Sequence, residues 1–254
     1  MIWIGTSGWI YPHWVGRFYP SDLPIREHLA YYARHFATVE INNSFYRLPS
    51  YDQFHCWSEQ VQFQPNFCFA VKASRYITHL KKLQRTEEGV ARLYNAATGL
   101  GTHLGPLLYQ LPPHWHANIE RLKHFILQLP DNHRAAFELR DPTWFQEETL
   151  QALRQFFDET GCALVMAVGG SSPTPPDIPS TGSFDYIRFH GGAQGIGFTN
   201  NELETWAERL RAAHTKGREV FVYFNNDAEG YAISNAQQLQ NLLKDLLPGA
   251  GDSC

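Results

Sequence analysis

The 254 residues include 43% hydrophobic, 18% charged and 14% aromatic side chains, which excludes a disordered chain, a collagen and a coiled coil. With 21 Lys and Arg against 25 Asp and Glu the formal net charge is −4, which disfavours a non-specific nucleic-acid binder. No apolar run approaches the roughly 18 residues of a membrane helix, and the opening Met1-Ile2-Trp3-Ile4-Gly5 lacks the basic and apolar regions of a signal peptide.

In chain order, short β-rich runs alternate with helical patterns. Residues 2–5 read as a strand and 23–36 as a helix, started near Ser21 and Asp22 with Pro24 in its first turn. Strands over 38–41, 67–71, 104–110 and 135–138 are each followed by a helix, over 51–61, 86–98, 119–129 and 147–160. The strand over 163–167 is instead followed by residues 169–183, rich in Ser and Pro and without helical period. A strand over 186–189, a helix over 200–213, a strand over 220–224 and a helix over 234–247 complete the series. Such alternation means parallel strands joined by helical crossovers. Eight strands in this length predict an α/β fold, a single (β/α)8 TIM barrel over 1–248 with an irregular sixth βα unit. The remaining 249–254 read as a flexible tail. An open doubly wound sheet is the alternative, but Gly5-Thr6-Ser7-Gly8 is not its G-x-G-x-x-G phosphate fingerprint. Cys56, Cys68, Cys162 and Cys254 form no C-x-x-C pair, which fits a reducing, cytoplasmic setting.

Strand parity sorts side chains between lumen and helices. It turns Thr38, Glu40 and Asn42 inward, then Cys68, Ala70, Lys72 and Ser74, then Glu138 and Arg140. Tyr186, Arg188 and His190 follow, then Phe221, Tyr223 and Asn225. Each of these strands becomes polar at its C-terminal end, where barrel active sites lie. Glu40 and Glu138 face Lys72, Arg140 and Arg188 there, and the positive excess points to an anionic ligand. A closed ion-pair network that only braces the barrel is the competing expectation. The loop holding Trp9, Tyr11 and Trp14, and the loop holding Asn42, Tyr46 and Arg47, join aromatic faces to amides, a combination suited to sugars or bases. Trp144 and Phe145 read more plainly as plugs of the barrel mouth. Residues 72–85 carry Lys72, Arg75, Lys81, Lys82 and Arg85 without an acid, mostly as a solvated face, and His79 lies in the same loop. Asn225, Asn226 and Asp227 after the last strand cap a helix or bind ligand.

Read in order, the strand ends resemble the YecE-like family, domain of unknown function seventy-two. The motifs that carry the resemblance include Gly5-Thr6-Ser7-Gly8-Trp9, Val39-Glu40-Ile41-Asn42, Phe45-Tyr46-Arg47-Leu48-Pro49 and Phe69-Ala70-Val71-Lys72-Ala73. Further along come Gln110-Leu111-Pro112-Pro113, Phe137-Glu138-Leu139-Arg140, Ile187-Arg188-Phe189-His190-Gly191 and Tyr223-Phe224-Asn225-Asn226-Asp227. The resemblance implies a TIM barrel and a single-domain, bacterial-type cytosolic protein, and supplies no reaction. Relatives often carry an acid just after the sixth strand, where this chain reads Met166-Ala167-Val168-Gly169-Gly170.

Three functions follow from these residues. The first is a site for a small anionic ligand (a phosphorylated sugar, nucleotide or phosphodiester) clamped by Lys72, Arg140 and Arg188. Acid–base hydrolysis there would use Glu40 or Glu138 with His190 or His79. The second is a divalent-metal hydrolase or isomerase holding its metal with Glu40, His79, Glu138, His190 and Asp227, against which Lys and Arg interleave with every ligand. The third is a binding module without chemistry, for a metabolite or, against the net charge, nucleic acid. Composition and spacing name no cofactor and no membrane partner.

Overall fold

Apolar runs such as Cys68-Phe69-Ala70-Val71, buried on both faces, become the parallel strands of a computed structural model that describes residues 1–130 and 134–248. The strands are β1 (Ile2–Thr6), β2 (Thr38–Ile41), β3 (Cys68–Lys72), β4 (Leu104–Gln110) and β5 (Ala135–Glu138). They continue with β6 (Ala163–Leu164), β7 (Met166–Val168), β8 (Phe184–Phe189) and β9 (Glu219–Phe224). One arc runs β1-β9-β8-β7 and the other β2-β3-β4-β5-β6. At one seam Ser7 bridges Glu40, and the Gly8 N–H donates to the Glu40 carbonyl at 2.8 Å. Gly5 permits that approach, because a Cβ there would meet the Thr38 carbonyl oxygen at 2.1 Å. At the other seam β6 and β7 are halves of one strand. Val165 between them donates to the Phe137 carbonyl on β5, after which β7 pairs with β8. The array is the (β/α)8 barrel that the alternation predicted, with its sixth strand split.

Trp3, Cys68, Leu108, Ala136, Val165 and Tyr223, from six different strands, meet in one buried cluster inside the ring. Trp3 stacks on Phe221 at 4.9 Å toward the N-terminal end. The middle of the lumen is therefore apolar, the Arg134–Glu219 ion pair covers Phe184 and Phe221 at the N-terminal end, and the other polar residues gather at the C-terminal mouth.

Outside lie α1 (His28–Ala33), α2 (Tyr51–Gln60), α3 (Glu87–Ala97), α4 (Ile119–Ile126), α5 (Glu147–Thr160), α6 (Asn200–Thr215) and α7 (Tyr231–Leu242). Caps fix several starts: Ser50 accepts from the Gln53 N–H, Asn118 from that of Arg121, and Thr199 with Glu202 forms a capping box. The first helix is shorter than expected, because Pro24 is extended at ψ 141° and Ile25–Glu27 forms a 3-10 turn. The last begins earlier, at Tyr231, behind a left-handed Gly230 at φ 82°, and ends at Leu242. Among the described residues no helix is long and apolar enough to cross a membrane. The tail expected over 249–254 lies outside the described residues.

Residues 169–183 hold no helix and return along the barrel flank as a strap. The split of the sixth strand leaves the N–H groups of Ala167 and Leu164 without strand partners, and two strap hydroxyls take them. Thr174 Oγ1 accepts from Ala167 at 3.1 Å and Thr181 Oγ1 from Leu164 at 2.8 Å. A cavity of about 270 Å³ between the strap, β8 and α6 lies where a crossover helix would have packed.

Candidate functional site

The C-terminal mouth is built on one buried ion cluster. Arg188 on β8 is fully buried, and three of its nitrogens donate to carboxylates. Nε and Nη2 grip Glu40 at 3.0 and 2.8 Å in a bidentate fork, and Nη1 reaches Glu138 at 2.6 Å. Glu40 also accepts from Ser7 Oγ at 2.6 Å and Tyr186 OH at 2.7 Å. Glu138 accepts from Gln110 Nε2, its cross-strand neighbour, at 2.8 Å. Burial pushes both carboxyls up, but the Arg188 charge and these hydrogen bonds outweigh it and hold both below the usual carboxylate range. Burial likewise opposes the Arg188 charge, and the two carboxylates more than restore it.

This geometry corrects the expected roles of Arg188, Glu40 and Glu138. Arg188 has no face left for a ligand, and carboxylates so stabilised as anions are poor general acids. The bracing expectation describes these three residues.

Lys72 at the end of β3 is different. Two carboxylates face three cations here, and the Lys72 ammonium is the one left over. Among the described residues it has no hydrogen bond or ion pair, and Nζ lies 4.5 Å from the Phe45 ring centroid. Burial, then the nearby Arg188 charge, lower its pKa to about 8. Arg140 reaches Glu138 only at 3.9 Å and Ser171 Oγ at 3.3 Å, and stays partly exposed. His79 meets the Phe45 ring edge-on at 4.9 Å and bonds Thr78 Oγ1 through Nδ1 at 2.8 Å. Burial and the charges of Lys72 and Arg140 lower its pKa.

His190 lies between the cluster and the mouth. Asn225 Nδ2 donates to its Nδ1 at 3.1 Å, and its Nε2 approaches Glu138 Oε1 at 3.6 Å. Asn42 Nδ2 in turn donates to Asn225 Oδ1 at 3.4 Å, and Asn42 Oδ1 is buried without a hydrogen-bond partner among the described residues. Gly169 and Gly170 support this turn at left-handed φ of 69° and 73°. A Cβ on Gly169 would lie 2.1 Å from the Gly191 carbonyl oxygen, and one on Gly170 2.9 Å from His190 Cβ. Neither position leaves room for a side chain on this backbone.

Beside Asn42 a cavity of about 160 Å³ is lined by Gly8, Trp9, Ile10, Tyr11 and Asn43. Tyr11 donates to the Ser7 carbonyl and covers Gly8. Trp9 is only 5% exposed and packs edge-on against Trp57 at 5.1 Å, so its ring face is not offered for stacking as expected. Tyr46 is 73% exposed with Arg75 over it at 6.0 Å, and Arg47 is exposed beside it. Two further expectations are corrected. Asn226 is buried and donates to the Ile196 carbonyl and to Asn235, so it shapes a loop. Asp227 accepts from Trp14 Nε1 at 2.8 Å and meets His13 Nε2 at 3.0 Å. Burial raises its pKa against these two partners. The five residues weighed as metal ligands do not converge, and among the described residues no three His, Cys, Asp or Glu side chains form such a group.

Ser7, Gln110 and His13 are partners beyond the expected set, while Tyr186 stands on the inward face that parity gives it. The parity that selected Glu138 also turns Gln110 inward, so that signal was present. His13 had none, because its partner is over 200 positions away.

The family described as Protein of unknown function DUF72 matches residues 3–250. Protein YecE of Escherichia coli (strain K12) is 32% identical over 235 residues, covering 84% of this chain and 82% of its own. Protein YunF of Bacillus subtilis (strain 168) is 26% identical over 277 residues, covering 96% and 95%. The crystal structure of a DUF72 family protein from Thermotoga maritima superposes with a TM-score of 0.81 at 26% identity, over 96% of this chain and 99% of that one.

Proposed function

The chain belongs to the DUF72 family, and on the chemistry of its barrel mouth we propose that it binds a small anionic ligand, a phosphorylated sugar, nucleotide or phosphodiester. The observation that carries this reading is the half-buried Lys72 ammonium, a cation held at the mouth without a counter-ion among the described residues. A ligand anion supplies the missing partner, with Arg140 as second donor and Asn42, Tyr11 and Tyr46 beside the rest of the ligand. Acid–base work in the site falls to His190 and His79, since the two carboxylates are committed to Arg188. The free Cys56, Cys68 and Cys162 support a cytoplasmic setting.

The test is the thermal shift of wild type and Lys72→Met against phosphate, sugar phosphates, nucleotides and short oligonucleotides, at low and moderate salt. A ligand at 100 times its Kd stabilises by about 2.7 kcal/mol, and this is expected for wild type alone. Wild type unmoved by every anion, or Lys72→Met moved equally, overturns the reading. A response only to oligonucleotides that collapses steeply with salt favours the exposed Lys81, Lys82 and Arg85 instead.

A further inference from the structure

We infer that Lys72 condenses with an aldehyde or ketone to form an imine, so that the mouth carries out covalent carbonyl chemistry. This rests on the mouth being the ligand site, and adds what its lysine does there.

The argument starts from what Lys72 lacks. A lysine beside two carboxylates ordinarily pairs with one and stays an ammonium. Here Arg188 takes both Glu40 and Glu138 with three nitrogens, at 2.6–3.0 Å, and removes them as counter-ions. The groups facing Lys72 electrostatically are Glu40 from β2, Glu138 from β5 with Arg140 just after it, and Arg188 from β8. His79, from the loop after β3, feels the Lys72 charge in turn. A desolvated amine next to other cations is the environment that makes lysine a nucleophile. With its pKa at about 8, a sizeable fraction of Lys72 is the free amine near neutral pH. Phosphate recognition alone would be served better by a lysine that stays fully charged.

The step balances without an oxidant or reductant. The Nζ lone pair attacks the carbonyl carbon, a C–N bond forms, and the carbonyl oxygen takes a proton to give a carbinolamine. The nitrogen lone pair then expels the hydroxyl, which leaves as water. His79, which shares the Phe45 contact with Lys72 and feels its charge, accepts the Nζ proton and returns it to the departing oxygen. The protonated imine retains one positive charge over the Phe45 face, where the ammonium was. Arg140 remains for an anionic group on the same ligand.

The experiment uses the full chain with glyoxylate and with dihydroxyacetone phosphate, each followed by borohydride, which reduces an imine to a stable secondary amine. Intact mass and peptide mapping then locate the adduct. The expected result is one adduct per chain, on Lys72, absent in Lys72→Met and rising with pH around 8. Labelling at pH 7.5 should fall on Lys72 in clear preference to the exposed Lys81 and Lys82. Equal labelling of all three lysines overturns the proposal. So does the lack of any adduct while inorganic phosphate still shifts the melting temperature of wild type, and that result leaves the anion site standing. No adduct and no shift removes both.

Discussion

Arg188 is buried at a cost of several kcal/mol per ion, repaid only because the fork on Glu40 and the bond to Glu138 leave almost no donor or acceptor unmet. Removing one member is therefore far worse than removing all. Arg188→Met strands two buried carboxylates and should cost about 3–5 kcal/mol in urea unfolding. The triple variant Glu40→Leu, Glu138→Leu, Arg188→Met should recover most of that loss. If the single variant unfolds like wild type, the cluster is not the brace the geometry describes. At this scale the sequence marked the charged residues and their side of each strand. It did not mark who pairs with whom, because Glu40 and Arg188 meet across 148 positions.

The sixth βα unit has the most informative element. Its strand changes neighbours at Val165, from β5 to β8, and the strap of residues 169–183 does by side chain what a helix and a continuous ladder do elsewhere. Thr181 is buried, accepts from Leu164 and donates to the Cys162 carbonyl at 3.1 Å. Thr181→Val keeps its shape and strands both backbone groups, so a loss of about 1–3 kcal/mol is expected in chemical denaturation. A neutral result would mean that the strap contributes little. The absence of a helix here was legible from the Pro- and Ser-rich composition, and the hydroxyl caps were not, since they depend on where the strand breaks. The start of α1 lies later than the pattern predicts for a related reason. Pro24 is compatible with a first helical turn, but the chain here stays extended until Ile25.

For the whole molecule the consequence is a barrel with an apolar middle and an ionic mouth, whose stability depends on pH. Glu40 and Glu138 titrate lower folded than unfolded, so their contribution is complete above the unfolded value of about 4.3 and is lost as pH falls below it. The urea midpoint should drop below that pH, and should drop less in the triple variant. Lys72 has the opposite sign. Its folded pKa of about 8 lies below the unfolded value of about 10.4, so the folded state binds fewer protons between them. Wild type should gain stability relative to Lys72→Met as pH rises through that window, and a flat difference would show Lys72 to be ordinarily hydrated.

The alternation of strand and helix, the inward parity of each strand and the polar C-terminal ends were determined by the sequence, because period and burial are local properties of a chain. The tertiary structure alone decided that Arg188 would consume both glutamates, that Trp9 would be buried in the core, and that Lys72 would be left, among the described residues, without a carboxylate partner. Those outcomes depend on which side chains closure of the barrel brings together, and closure joins residues that the chain keeps far apart.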